Sequence, residues 1–128
     1  MRSYAICIIS SLAFVLFLLQ SCKKKEDVND IKCDTTGWNP DSITYSKTVS
    51  VIISKYCIRC HSNTVKKGWV DLEGYDRVKK YADNHKLLGS IGHLKGFKSM
   101  PRGEGVTKLS QDEICKIKFW IDNGAINN

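Results

Sequence analysis

The sequence lacks the features that define several common classes of protein. It has no internal repeat and no low-complexity segment. Its 20 basic residues exceed its 13 acidic ones, but they are dispersed without a recognisable nucleic-acid-binding module. No apolar run reaches the roughly 20 residues that a bilayer-spanning helix needs. The positive charge therefore favours acidic partners or anionic surfaces over nucleic acid.

The longest apolar run lies near the N-terminus, from Tyr4 to Leu19, and ends before a charged stretch that starts at Lys23. It spans 16 residues (4 to 19), so we interpret residues 1–21 as an export signal peptide. Its end, Leu19-Gln20-Ser21-Cys22, resembles the lipobox of bacterial lipoproteins. The resemblance implies that Cys22 carries a lipid and holds the protein to a membrane at the cell envelope, facing the periplasm or the cell surface. Residues 22–32 then form a charged tether, and residues 33–128 form the domain.

The six cysteines divide by position. Cys7 leaves with the signal peptide and Cys22 is the lipid site, so four remain for the domain. Two of these belong to Cys57-Ile58-Arg59-Cys60-His61. The other two, Cys33 and Cys115, are an even remainder in an oxidising compartment, which predicts a disulfide between them.

Apolar periodicity predicts about four helices. The first begins near Ser46, buries the face Val49, Ile52, Ile53 and Tyr56, and ends at Cys57. Two short helices follow, around residues 75–81 and 87–91, with Asn84 as a cap between them. The last starts at Ser110, where Ser110 and Glu113 match a capping box, and stops at Asn123-Gly124.

The motif Cys57-Ile58-Arg59-Cys60-His61 is the attachment pattern of a covalently bound haem. Thiols three residues apart in a helical turn project to one side, where they can bind the two vinyl groups of one haem, and His61 then offers an imidazole to the iron. A thioredoxin-like pair lacks its βαβ context here. A zinc site remains an alternative, built from Cys33, Cys57, Cys60 and Cys115, or from three of these with His61.

Met100 is the candidate for the sixth iron ligand. It is the only methionine that remains after residue 21, and it stands in a glycine-rich loop before Pro101, although a lone methionine is often core filler. His93 is the alternative axial ligand, whereas His85 is interpreted as solvated. Arg102 and Trp69 could donate to the haem propionates, but an exposed arginine and a core tryptophan are the commoner roles.

Three segments together resemble the monohaem cytochrome c family with His/Met ligation: Cys57 to His61, then Ser99-Met100-Pro101, then Lys108-Leu109-Ser110 leading to Trp120-Ile121-Asp122-Asn123-Gly124-Ala125. The resemblance implies an all-α, cytochrome c-like domain around one haem c. It implies that the first and last helices cross and that the loop with Met100 closes over the haem.

Two filled axial positions leave no vacancy for a substrate, so we expect an electron-transfer protein and not an enzyme. Basic residues close in sequence to the ligand segments predict docking to acidic redox proteins; they are Lys55, Arg59, Lys95, Lys98 and Arg102. Two alternatives stay open. One is a haem sensor or accessory subunit of an envelope redox enzyme, and the other is a protein without haem, stabilised by zinc or a disulfide.

Overall fold

The computed structural model describes residues 27–128, and over that range the chain forms helices and turns without a β-strand. The predicted signal peptide, residues 1–21, and the predicted lipid site, Cys22, lie outside the described residues. The predicted all-α class is therefore confirmed for residues 27–128. Among these residues, no helix has the length and apolar character needed to cross a membrane.

The α-helices of the described range are α1 (Ser50–Tyr56), α2 (Ile58–His61), α3 (Tyr75–Asp83), α4 (Lys86–Ile91) and α5 (Gln111–Asp122). A π-helical turn, Tyr45–Val49, leads directly into α1, and 3-10 turns cover Val28–Asp30, Pro40–Ser42 and Lys67–Trp69. The four predicted helices are all present, and α2 is an additional single turn that contains the last four residues of the Cys57–His61 motif.

The first helical segment forms for the reason that its periodicity indicated. Val49, Ile52 and Ile53 are buried, and the Thr44 side chain accepts a hydrogen bond from the Lys47 amide at the start of the segment (3.1 Å). Asn128 caps the same end of the segment. Its side-chain oxygen accepts from the Tyr45 amide (2.8 Å), and its backbone carbonyl accepts from the Ser46 amide (2.9 Å). These partners satisfy amides that a helix start leaves free.

Helix α5 has the predicted capping box. The Ser110 hydroxyl accepts from the Glu113 amide (3.2 Å), and the Ser110 amide donates to the Glu113 carboxylate (2.9 Å). The helix ends at Asp122 with Asn123 as its C-cap, and Gly124 follows in the left-handed conformation with φ of 89°. The buried side chains of α5 are Ile114, Cys115, Ile117 and Trp120.

The first and last helical segments pack antiparallel. The ring of Tyr45, at the start of the first segment, lies 5.7 Å from the ring of Trp120, near the end of α5. The Tyr56 hydroxyl, at the end of α1, donates to the carboxylate of Glu113, in the first turn of α5 (2.9 Å). The end of α1, where the motif begins, is thereby fixed against the start of α5.

The segment after Cys33 covers a second side of α5. Cys33 and Cys115 form a disulfide, with their Cα atoms 5.5 Å apart. Further along, the ring of Trp38 meets the ring of Phe119 edge-on at 6.2 Å. This arrangement buries the apolar side of α5 that faces away from Ile114 and Ile117.

Packed structure begins before residue 33, where the domain was expected to start. Val28 is 7% exposed, and Ile31 packs against the core. Ile31 lies so close to Gly92 that a Cβ atom there would stand 2.9 Å from the Ile31 Cδ1 atom. Two apolar side chains are enough to bind this otherwise polar stretch to the domain.

Candidate functional site

The motif occupies one tight turn between α1 and the loop that follows. The Cys57 amide makes the last hydrogen bond of α1, to the Ile53 carbonyl (2.8 Å). The Cys57 carbonyl then accepts from the amides of both Cys60 and His61 (3.0 and 2.9 Å). The structure thus presents both thiols and the imidazole from a single turn.

The two thiols are free and half-buried. Burial raises the pKa of Cys57 to about 11, and the nearby Cys60 adds to the rise. Cys57 is therefore a protonated thiol at neutral pH. A thioredoxin-like pair depends on a lowered thiol pKa, so the structure disfavours that alternative.

His61 is a half-buried imidazole with an unsatisfied ring atom. Its Nδ1 atom is buried and has no hydrogen-bond partner. A buried polar atom without a partner costs free energy unless a bound group compensates for it. Two hydrogen bonds fix the backbone of His61: its amide donates to the Cys57 carbonyl, and its carbonyl accepts from the Leu72 amide (2.7 Å). Two free thiols and a histidine whose Nδ1 atom lacks a partner fit the donor set that a covalently bound haem requires.

The zinc alternative loses two of its proposed ligands. Cys33 and Cys115 are joined to each other, so they cannot offer thiolates to a metal alongside Cys57 and Cys60. Within residues 27–128, no group of three or more His, Cys, Asp or Glu side chains is placed to hold a metal ion. A haem needs no such group, because its porphyrin supplies the equatorial ligands of the iron.

Met100 lies in a loop that is bound to α4. Its amide donates to the Ser90 carbonyl (3.0 Å), and its own carbonyl lies 3.0 Å from the Nε2 atom of His93. A carbonyl can only accept, so in this contact Nε2 carries the proton. Met100 is half-exposed and is absent from the buried core, so it does not serve as core filler.

His93 is exposed and has a backbone φ of 58°. Its Nε2 atom is bound to the Met100 carbonyl, so only its Nδ1 atom could act as the alternative axial ligand while this hydrogen bond lasts. His85 is also exposed, as expected for a solvated residue. The assignment of Met100 as the axial ligand, with His93 as the alternative, stays a prediction.

A close contact fixes the loop between α4 and Met100. The ring of Phe97 lies against Gly89, where an added Cβ atom would stand 2.5 Å from the ring. The Gly89 carbonyl accepts from the Leu94 amide (3.0 Å). Only glycine leaves space for this ring, so Gly89 helps to define the path of the chain towards Met100.

The sequence did not indicate a second group of polar residues next to the motif. Glu113 accepts from Tyr56 and from Lys55 (3.2 Å) besides capping α5. Burial alone would raise the pKa of Glu113, but the hydrogen bonds from Ser110, Tyr56 and Lys55 outweigh it and lower the pKa. Part of the positive charge expected at Lys55 is thus neutralised.

Asp71 is another polar residue near the motif that the sequence did not indicate. It is 8% exposed, and Arg77 Nη1 lies 2.9 Å from its Oδ2 atom in an ion pair that lacks hydrogen-bond geometry. Its Oδ1 atom accepts from the Glu73 amide (3.0 Å). An acidic residue between two apolar ones, Val70 and Leu72, was the only sequence signal for it.

Trp69 lies on the surface, although a core position was the commoner role expected for it. Its side chain is 93% exposed, and its backbone φ is 61°. The 3-10 turn Lys67–Trp69 and the left-handed backbone at Lys66 turn this segment away from the core. The interpretation of Trp69 as a core residue is therefore wrong, while Arg102 is exposed as expected.

No family model, no curated protein and no solved structure matches this chain. The function of the site must therefore be inferred from its own residues.

Proposed function

We propose that this protein is a monohaem c-type cytochrome that carries electrons at the cell envelope, where a lipid on Cys22 anchors it. The observation that supports the proposal most strongly is the turn Cys57–His61. It combines two free thiols with an imidazole whose buried Nδ1 atom has no partner. This is the donor set for one covalently held haem.

Each residue of the site has a defined role in this proposal. Cys57 and Cys60 would hold the haem through thioether bonds, while His61 and Met100 would be the axial ligands. His93 would hold the Met100 carbonyl and so restrict the loop that carries the thioether sulfur. When bound, the haem supplies reversible one-electron oxidation and reduction of its iron.

Two protein ligands on the iron favour a carrier over an enzyme or a gas sensor, since both of the latter need an open iron position. The contact between the first segment and α5 supports the proposal, because the resemblance implies that the first and last helices meet. So does the position of Met100 in the loop between α4 and α5. The exposed basic residues Arg59, Lys98 and Arg102 are consistent with acidic redox partners.

Covalent attachment is tested by treating the purified full-length protein with acid acetone, which removes haem that is not covalently bound. We expect the haem to stay with the polypeptide and the mass of the chain to rise by one haem. Cys57→Ser/Cys60→Ser should lose this mass increase. Haem that is extracted from the wild-type protein, or a chain without haem after expression with a cytochrome c maturation system, would contradict the proposal.

The anchor is tested separately with Cys22→Ser. We expect this variant to appear in the soluble fraction while it keeps its haem, because the lipid site and the haem motif are independent. Cys33→Ser/Cys115→Ser serves as the control for loss of cysteine and should remain with the membrane. Unchanged membrane association of Cys22→Ser would show that lipidation is not the anchor.

A further inference from the structure

The loop that leaves the haem motif exposes a large aromatic side chain. Trp69 is the most exposed of the large apolar residues within residues 27–128, at 93%, and Val65 of the same loop is 55% exposed. Single exposed apolar residues are ordinary, but an exposed tryptophan close to a second apolar residue is typical of a binding surface. We refer to residues 62–72 as the Trp69 loop.

The Trp69 loop has a defined conformation. The Ser62 carbonyl accepts from the Lys66 amide (3.0 Å), and the Ser62 hydroxyl accepts from the Val65 amide (3.2 Å). The Trp69 amide then donates to the Lys66 carbonyl (2.7 Å). A loop that is already ordered loses little conformational entropy when a partner binds.

Both ends of the loop meet at His61. Ser62 follows His61 directly, and the Leu72 amide donates to the His61 carbonyl (2.7 Å). A partner on the Trp69 loop would therefore sit beside the proposed axial ligand. A redox protein bound there would lie close to the iron, as electron transfer requires.

The exposed charges of the loop are of one sign. Lys66 and Lys67 are exposed, and no acidic residue lies between positions 62 and 70. The exposed carboxylate of Glu73, just outside the loop, accepts from the Asn63 amide (2.9 Å) at the opposite end of the loop from Trp69 in sequence. Asp71, at the base of the loop, is buried and paired with Arg77. The loop thus offers an aromatic side chain beside two positive charges, which complements an apolar patch surrounded by carboxylates.

We propose that the Trp69 loop is the docking surface for an acidic redox protein, with Trp69 in an apolar patch of the partner and Lys66 and Lys67 against its carboxylates. This inference rests on the proposed electron-transfer function. It goes further by naming the surface and the chemistry of the partner, because the basic residues near the motif do not by themselves select one face.

The test uses the haem-loaded full-length protein and an acidic blue-copper protein as the probe, with binding followed by NMR titration and electron transfer by stopped flow. Trp69→Ala should weaken binding about tenfold, which corresponds to about 1.4 kcal/mol, and Trp69→Phe should recover part of it. Lys66→Ala/Lys67→Ala should also weaken binding, and should reduce its dependence on ionic strength.

Matched variants control for loss of apolar surface and of charge. Val51→Ala shortens an exposed apolar side chain (58% exposed) outside the loop. Lys47→Ala/Lys86→Ala removes two exposed lysines elsewhere in the chain. Val51→Ala should bind as the wild type does, and the lysine control should weaken binding less than Lys66→Ala/Lys67→Ala.

Three results would overturn the inference. The first is equal binding by Trp69→Ala and Val51→Ala. The second is a changed haem spectrum in Trp69→Ala, which would show that Trp69 contacts the haem. The third is Trp69-dependent binding to phosphatidylglycerol vesicles without binding to the copper protein, which would indicate a membrane contact. Each of these can occur in a protein that retains haem after acid acetone, so failure of the docking surface is distinguishable from failure of the proposed function.

Discussion

Glu113 connects the end of α1 to the last helix, α5, and its replacement tests this connection. The carboxylate accepts from the Tyr56 hydroxyl (2.9 and 3.0 Å), the Ser110 amide (2.9 Å) and the Lys55 ammonium (3.2 Å). Its side chain is 18% exposed, so these hydrogen bonds are partly shielded from water. We therefore expect Glu113→Ala to be among the more destabilising single changes outside the core.

The size of the effect follows from these contacts. Loss of the hydrogen bond from the Ser110 amide, which is the half of the capping box that Glu113 supplies, costs about 1 kcal/mol. Loss of the hydrogen bond from the Tyr56 hydroxyl to the partly buried carboxylate costs about 2 kcal/mol. Lys55 adds little because it is exposed. The free energy of unfolding should fall by about 3 kcal/mol, and Tm by roughly 10–15 °C for a domain of this size.

The measurement is a double-mutant cycle in which Tyr56→Phe, Glu113→Ala and the double variant are unfolded in urea. We expect a coupling energy of about 1.5 kcal/mol between the two side chains. Asp112→Ala is the control, since Asp112 forms only an exposed pair with Lys116. A coupling energy below about 0.3 kcal/mol, within the error of additivity, would refute the connection.

The pH dependence has a definite sign. The hydrogen bonds hold the pKa of Glu113 below its ordinary value of 4.5, so the ionised form stabilises the folded state. This stabilisation is complete above pH 4.5 and is lost as the pH falls through the lower, folded-state pKa. The stability difference between wild type and Glu113→Gln should therefore shrink in acid, and a constant difference down to pH 2 would contradict the assignment.

Three further predictions concern Met100, Gly89 and the disulfide. The reduced wild-type protein should show a strongly shifted methionine methyl signal in NMR, and Met100→Ala should lose it and bind carbon monoxide. Gly89→Ala should displace the Phe97 ring, reduce stability by about 1–3 kcal/mol and shift the same methyl signal. Cys33→Ser/Cys115→Ser, which opens a loop of 82 residues, should lower stability in urea by at most about 4.5 kcal/mol.

Each of these has an outcome that contradicts it. Ready binding of carbon monoxide by the wild type, without a shifted methyl signal, would indicate an open iron position and a sensor. Gly89→Ala with wild-type stability would mean that the contact between Gly89 and the Phe97 ring does not fix the loop. Peptide mapping that finds the thiols of Cys33 and Cys115 free would refute the disulfide.

Local sequence signals were sufficient for the helices and for the motif. The capping box of Ser110 and Glu113 defined the start of α5, because both of its hydrogen bonds lie within one turn. The spacing of Val49, Ile52 and Ile53 predicted the buried face of the first helix, since helical periodicity brings these positions together. Cysteine counting favoured Cys33 with Cys115, although it carried no information on geometry.

Tertiary structure alone decided the contacts that surround the site. Tyr56 and Glu113 are 57 residues apart, and no local pattern relates them. Tryptophan is a large, mostly apolar residue that suits a core, yet the left-handed backbone at Trp69 places this side chain in water. The hydrogen bond between His93 and the Met100 carbonyl depends on the path of a loop that lacks regular structure. Sequence patterns record which residues favour burial or capping, but only the folded chain determines which distant groups meet.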